Sequence, residues 1–395
     1  MDATKRPTVW FVGAGRLRLR IPLMKQLVDR GFDVGAVGPE EAPEFLEHGF
    51  PYHRYPLRRA FSPHGDWQAY RKLCQLFDEH RPDIVHAVNT KPALLVPYAA
   101  RRTGLSSIRT ITGLGAVYSS SSPLTLALRP VYKTLQSRAS RVAGATVFQN
   151  SDDQEFFHRH EIVSEDRSEL VLSSGIDVED YRMQRSDFQI QERIRNELGL
   201  HGRRVITMVT RMIKSKGVVE YLKAARQVRM EDPDTVFLLI GSVVHEGPDA
   251  ISAEELKQYR SDVRMLGSRT DIPDILALSD LFVLPSYFRE GIPRVLLEAG
   301  AMGLPLITTD WPGCREVVNH GSNGLLIPPR DSESLGNAIL HLLERPELRQ
   351  SMGYESRQLV SERFHLNKVA DQYEAIYRRV LGLDSEAGNQ HSRAA

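Results

Sequence analysis

At 395 residues the chain is longer than one ordinary hydrophobic core sustains, so two domains are expected. Its formal charge of +1, from 51 Lys and Arg against 50 Asp and Glu, excludes a chain-wide polyelectrolyte attraction to nucleic acid and leaves room only for local basic faces. The two cysteines, Cys74 and Cys314, lie far apart without CxxC spacing, which argues against a disulfide framework or a structural zinc and fits a reducing cytoplasm.

No run of about 18 apolar residues occurs, so no membrane-crossing helix is expected. The first apolar run, at 9–12, is too short for the core of a signal peptide. It opens a strand over 8–12, and further strands are expected over 34–37, 83–88, 108–112, 145–148 and 169–172. Helical patterns over 22–30, 67–80 and 92–103 lie between them. Short β-rich runs alternating with longer helical ones imply a parallel sheet with crossover helices.

The rhythm then restarts. Strands are expected over 205–210, 236–241, 263–266, 281–285 and 306–308, with helices over 217–230, 271–278 and 293–302. The polar stretch 173–203 carries the joint. The expected division is a first doubly wound α/β domain over 1–176, a second over 177–365, and a helix at 366–383 that crosses back toward the first. The tail, 384–395, has no packing pattern and is expected to be disordered. Such units bind ligands outside the carboxyl ends of their strands, and the crevice between two of them is the expected active site.

Several loops carry chemistry. After the first strand comes Gly13-Ala14-Gly15-Arg16-Leu17-Arg18, a G-x-G-x-x-R run that lacks the third glycine of the dinucleotide fingerprint. Arg16, Arg18 and Arg20 make it basic, which suits a phosphorylated ligand. From Ile84 to Ser151 there is no acidic residue, while Lys91, Arg101, Arg102, Arg109, Arg129, Lys133, Arg138 and Arg141 all fall there. Within it, 124–142 mixes apolar residues with four cations. It reads either as a core helix with a solvated basic face or as an amphipathic helix for an anionic membrane surface, and the missing acids favour the membrane.

In the second half, Thr210 to Val218 reads TRMIKSKGV between a strand and a helix, so that Arg211 and Lys216 project from the strand's carboxyl end. Fixed cations there stabilise a departing diphosphate more than the bound donor. The run LPSYFREGIPRVLLEA, from Leu284 to Ala299, is a strand end, a loop and a helix with Pro293 at its first position. Free N–H groups and the helix dipole suit phosphate at that point. Glu290 lies in the loop, and Glu298 lies about 7.5 Å along the axis from Pro293 at 1.5 Å per residue. Carboxylates so placed can accept hydrogen bonds from sugar and ribose hydroxyls on either side of a diphosphate. Taken singly, they also read as a helix cap and a solvated helix-face side chain.

Together these motifs resemble the retaining glycosyltransferases of family four, which have the GT-B fold. Glu290 and Glu298, with seven residues between them, match that family's E-x7-E element. Arg211 and Lys216 match its Arg–Lys pair. Ser173-Ser174-Gly175-Ile176-Asp177 resembles its interdomain "NGVD" segment, and 262–269 resembles its base-binding loop. The resemblance implies that Arg211, Lys216 and Glu290 are catalytic and that Glu298 contacts ribose. It implies a UDP-sugar donor that also meets Gly13, Gly15, Leu266, Arg269, Gly291, Ile292, Arg294 and Leu296. No metal is expected, because no Asp-x-Asp pair stands at a strand end.

The pattern Val88-Asn89-Thr90-Lys91-Pro92 and Thr112-Gly113-Leu114-Gly115 is similar to bacterial members that extend saccharides on polyprenyl diphosphate, N-acetylgalactosaminyltransferases above all. Arg16, Arg20, Lys91, Thr112 and Gly113 would then face acceptor or phosphate. Those relatives place Glu or His near Thr112, so this chain lacks the obvious acid–base group of the first domain. The resemblance implies a cytoplasmic enzyme of surface-glycan synthesis, peripheral at the membrane, using an N-acetylhexosamine donor and no nucleic acid. Three alternatives follow from the residues: a hydrolase using Glu290 and Glu298, an NAD-dependent oxidoreductase using Gly13–Arg18 with Glu40 on ribose, and a non-catalytic sugar-nucleotide binder.

Overall fold

The computed structural model describes residues 6–58, 62–114, 117–118, 123–184, 188–244 and 246–383. Gly115 and the expected disordered tail, 384–395, lie outside these, as does the side chain of Leu124. The chain folds as two compact units, one of residues 6–175 with 366–383 and the other Ile176–His365.

In the first unit the strands are β1 (Thr8–Val12), β2 (Asp33–Gly38), β3 (Tyr52–Arg54), β4 (Ile84–Val88), β5 (Ser106–Ile111), β6 (Ala145–Phe148) and β7 (Ser168–Leu170). They form a parallel sheet in the order β3-β2-β1-β4-β5-β6-β7. The central strands are buried on both faces, which explains their near-continuous apolar runs. One face packs on the helices Ile21–Asp29 and Leu366–Leu381, through Phe11, Met24, Tyr373 and Tyr377. The other packs on Pro63–His80 and Pro92–Thr103, through Trp10, Leu73 and Val96. On the first face, buried His86 of β4 bonds the Tyr377 hydroxyl at 2.7 Å and the Thr110 hydroxyl at 2.6 Å, tying the last helix to the sheet.

The second unit contains β8 (Arg204–Val209), β9 (Thr235–Ile240), β10 (Val263–Gly267), β11 (Leu281–Leu284), β12 (Leu306–Thr309) and β13 (Gly324–Ile327), parallel in the order β10-β9-β8-β11-β12-β13. Here too the central strands are fully buried. The sequence pattern misses β3 and β13, of three and four residues.

In each sheet the strand order reverses between the first strand and a later one, β1 with β4 and β8 with β11. Both units secure this junction alike. Asp83, just before β4, accepts the Thr8 N–H at 2.7 Å, and Asp280, just before β11, accepts the Val205 N–H at 2.8 Å. Chains leaving paired strands in opposite directions open a crevice at their carboxyl ends, the favoured ligand position in such sheets. The loops after β1 and β4 in one unit, and after β8 and β11 in the other, are those that carry the sequence motifs.

One expectation is corrected at this level. Arg109, counted among the cations of the acid-free stretch that favoured a membrane face, is fully buried in β5. Its guanidinium donates to Thr146 Oγ1, Gln136 Oε1 and Ser140 Oγ at 3.0, 2.7 and 2.5 Å. Burial lowers its pKa to about 10, so it stays a cation in the core and anchors the helix Pro123–Val142 to the sheet.

Candidate functional site

The second unit gathers its motif residues where β8 and β11 end. After β8 the backbone is stitched to its neighbours: Thr210 N–H to the Ile240 carbonyl at 2.8 Å, and Met212 N–H to Ser242 at 2.9 Å. Lys214–Lys216 then form one tight 3₁₀ turn, with Ser215 N–H held by Asp249 at 2.9 Å. Gly217, at φ 75°, ends the turn in the left-handed region, where a side chain would collide with the Pro285 carbonyl. That close approach, with the Tyr287 N–H bond to the Ser215 carbonyl at 2.9 Å, welds the post-β8 loop to the post-β11 loop.

Lys216 is only 7% exposed, and its ammonium pairs with the Glu290 carboxylate. The Phe288 ring lies below both cations, its centroid 5.0 Å from Lys216 Nζ and 5.9 Å from Arg211 Cζ. Among the described residues, Arg211 forms no ion pair. The structure therefore brings Arg211, Lys216 and Glu290 to one place.

The helix after the loop is Arg294–Ala301, and Pro293 is its extended cap at ψ 108°, one position earlier than expected. Gly291 and Ile292 precede it, and their N–H groups meet no acceptor among the described residues. They are unsatisfied donors just ahead of a helix N-terminus. Behind them, Gly313 at φ 83° approaches so closely that a Cβ would collide with the Gly291 carbonyl. The Trp311-Pro312-Gly313 turn thus fixes the shape of the loop. Cys314, next in line, is buried and its thiol is pushed up to about 11, so it is an inert packing group.

Glu298 is not the solvated helix-face residue that was one reading. It is nearly buried, bonded to Arg294 Nε at 3.0 Å and to the Tyr181 hydroxyl. Burial raises its carboxyl above the ordinary value, while the Arg294 charge pulls it back.

Three further residues of the expected donor set lie outside this cluster. Leu296 is fully buried and gives its N–H to the Pro293 carbonyl at 3.0 Å, so it belongs to the core beneath the turn. The Arg269 guanidinium is clamped by Asp271 at 2.6 and 2.8 Å and by Glu197 at 2.8 Å. Leu266 lies at the carboxyl end of edge strand β10, half-buried.

In the first unit, Gly13 donates its N–H to Val37 and accepts from the Tyr55 hydroxyl, each at 3.0 Å, so its polar groups serve the fold. Gly15 and Arg16 have φ of 144° and 52° and turn the chain sharply. Asn89, absent from the sequence-based site, ties three loops together: its Oδ1 accepts the Ala14 N–H and its Nδ2 donates to Thr112 Oγ1, each at 3.3 Å. Its own positive φ, 78°, is the feature that asparagine tolerates there. Gly113 follows at φ 125°.

The cations of this unit disperse. Lys91 pairs with Asp66 at 2.7 Å and with the Arg58 carbonyl at 2.9 Å. Arg20, expected toward phosphate, is 7% exposed and sits near His86 and Tyr377. A cavity of about 150 Å³ separates Gly15 and Arg16 from Glu40 and Glu44. That is below the roughly 300–1,000 Å³ of small-molecule sites, which weakens the dinucleotide reading.

Comparison with known proteins decides the family. Residues 190–359 match the family described as Glycosyl transferases group 1, and residues 22–170 match the Glycosyl transferase 4-like domain. The chain is a glycosyltransferase with a group 1 domain and a transferase 4-like domain. Along 92% of its length this transferase is 28% identical to the UDP-Gal:alpha-D-GlcNAc-diphosphoundecaprenol alpha-1,3-galactosyltransferase of Escherichia coli, covering 93% of that protein. Along 93% it is 26% identical to the N,N'-diacetylbacillosaminyl-diphospho-undecaprenol alpha-1,3-N-acetylgalactosaminyltransferase of Campylobacter jejuni, covering 97% of it.

Its fold is that of Anabaena HepE, solved in complex with UDP, with a TM-score of 0.77 at 20% identity over 94% of this chain and all (100%) of that one. It is equally that of the sucrose-phosphate synthase of Thermosynechococcus elongatus, with a TM-score of 0.78 at 18% identity over 96% of this chain and 100% of that one. The transferase thus has the two Rossmann-like domains of the GT-B class. No helix among its described residues is long and apolar enough to cross a membrane. No group of three or more His, Cys, Asp or Glu among them could hold a metal ion.

Proposed function

We propose that the enzyme transfers a hexosyl or N-acetylhexosaminyl group from a UDP-sugar to a hydroxyl of a polyprenyl-diphosphate-linked saccharide, with retention at the anomeric carbon. The observation that carries this reading is the Lys216–Glu290 pair beside the amides of Gly291 and Ile292, with Arg211 unpaired next to it. A diphosphate is the ligand whose charge and reach match two cations and a helix N-terminus.

Arg211 and Lys216 stabilise the charge that grows on the leaving oxygen as the bond from C1 breaks. Glu290 holds hydroxyls of the sugar and Glu298 those of the ribose. The acceptor oxygen bonds to C1 from the face that UDP leaves, and its proton passes to the departing phosphate. The cations supply the charge stabilisation that a metal ion supplies elsewhere, so activity persists in EDTA.

Lipid-linked acceptors are supported by the names of the two full-length relatives and by the helix Pro123–Val142. Its outer side exposes Leu126, Leu128, Val131 and Leu135, with Val131 57% exposed. Lys133, Arg138 and Arg141 flank them. Apolar side chains rimmed by cations suit an anionic bilayer surface at the cytoplasmic side, where such a carrier is met in bacterial surface-glycan assembly.

The test is a panel of UDP-sugars and GDP-sugars offered with undecaprenyl-diphosphate-linked saccharides, read as released nucleotide and as glycosylated lipid with its anomeric configuration. Transfer with retention from one UDP-sugar is expected. Nucleotide release to water alone, or inversion, overturns the reading. Sedimentation with phosphatidylglycerol but not phosphatidylcholine vesicles, lost on Leu128→Ser with Val131→Ser, tests the membrane contact.

A further inference from the structure

We infer that Phe288 is a positioning residue that holds Arg211 and Lys216 at the spacing a diphosphate requires, which rests on the reading of these cations given above. Two cations brought to one small site repel each other, and something must offset that repulsion before a ligand arrives. Lys216 has Glu290. Arg211 has no carboxylate among the described residues, and Asp249, the nearby acid, is engaged by Ser215 through both its oxygens. The ring of Phe288 lies against both cations, at 5.0 and 5.9 Å.

An aromatic face attracts a cation through its quadrupole and accepts no conventional hydrogen bond from it. The N–H donors of Arg211 therefore remain directed to an incoming phosphate. A carboxylate in the same place would consume them and cancel the charge. The ring is itself held by its backbone. Phe288 N–H donates to Ser286 Oγ at 3.3 Å, and the Phe288 carbonyl accepts from Glu290 N–H at 3.0 Å. Ser286 is fully buried, and its carbonyl is held by the Thr309 hydroxyl. The ring and Glu290 are thus fixed in the post-β11 loop, which the Tyr287 N–H bond to the Ser215 carbonyl ties to the post-β8 loop that carries both cations.

The experiment compares wild-type protein with Phe288→Leu, which keeps the apolar bulk without the quadrupole, and Phe288→Tyr, which keeps the ring. UDP and UMP binding are measured by calorimetry for each, with Arg211→Ala as the reference. Cation–π attraction of the usual size corresponds to a five- to thirtyfold change in affinity, roughly. Phe288→Leu is expected to weaken UDP binding by about that factor, to leave UMP binding within about twofold and so to narrow the UDP-to-UMP preference, while Phe288→Tyr restores it. Turnover falls in parallel in Phe288→Leu with the acceptor KM unchanged. Equal loss of UDP and UMP binding would mean that the ring merely supports the fold and would overturn the inference, as would wild-type preference in Phe288→Leu. If Arg211→Ala weakens UDP binding and Phe288→Leu does not, the inference fails alone. If Arg211→Ala binds UDP normally, the diphosphate reading fails with it.

Discussion

The two units carry the same junction and use it differently. Each reverses strand order beside its first strand, and each pins that point with an aspartate on the first strand's amide. At the second unit's junction the charged side chains converge, with Lys216, Glu290 and Arg211 arranged round one aromatic ring. At the first unit's junction they disperse. Lys91 is neutralised by Asp66, Arg20 is buried near the last helix, and the three loops are joined by a neutral amide, Asn89. One topology can therefore gather charged side chains round its junction or scatter them, according to where its loops place them.

This contrast predicts unequal effects of removing a cation. Arg211→Ala or Lys216→Ala should cost about 100- to 1,000-fold in kcat/KM, the scale for a fixed group that meets developing charge. Arg16→Ala in the first unit should cost under about tenfold, since exposed charges contribute little. Steady-state kinetics of the three variants checks this, and equal losses would erase the contrast.

A second prediction concerns the rigid backbone on which the convergent site depends. Gly313→Ala places a methyl group against the Gly291 carbonyl at a positive φ and should lower stability by about 3 kcal/mol while abolishing transfer. Urea unfolding followed at a tryptophan of each unit would show whether the loss is confined to the second unit.

In the first unit, the comparable weak point is buried rather than at the loops. Arg109→Met should cost about 2 kcal/mol, because it strands Gln136 and Ser140 without their partner. Unfolding of this variant by urea, with catalysis measured on the folded fraction, separates that structural role from a ligand role.

The smallest effect is one of pH. Burial, and then the Arg20 charge, hold the His86 imidazole well below its ordinary value, so the native state keeps it neutral. Above a pH of about 6.5 neither state binds the proton and the stability is fully present. Below it, the unfolded chain takes a proton that the native one refuses, and stability falls by up to about 1.4 kcal/mol per pH unit. Urea midpoints at pH 7 and pH 5.5 should differ accordingly, and His86→Gln should flatten the difference.

Much of the architecture was legible in the chain itself. The strands at 8–12 and 145–148 and the helix at 92–103 coincide with the observed elements, because long apolar runs and a Pro start with a Gly stop leave little freedom. The convergence of Arg211, Lys216 and Glu290 follows from two loops leaving neighbouring strands, which alternating strands and helices already imply. Phe288, Tyr181, Asn89 and Gly313 were not legible. Each acts through a partner distant in sequence, and an aromatic or a glycine in a loop has many other reasons to be there.

The order of elements and the parallel sheets came from periodicity, and the family from the resemblance of its motifs, all of them local properties of the chain. Only the tertiary structure decided which charges remain available. A cation's availability depends on the carboxylates, hydroxyls and carbonyls that folding brings within about 4 Å of it. Arg109, Arg20, Lys91 and Arg269 read in sequence like Arg211, yet the fold gives Arg109, Lys91 and Arg269 bonding partners, buries Arg20, and gives Arg211 an aromatic ring.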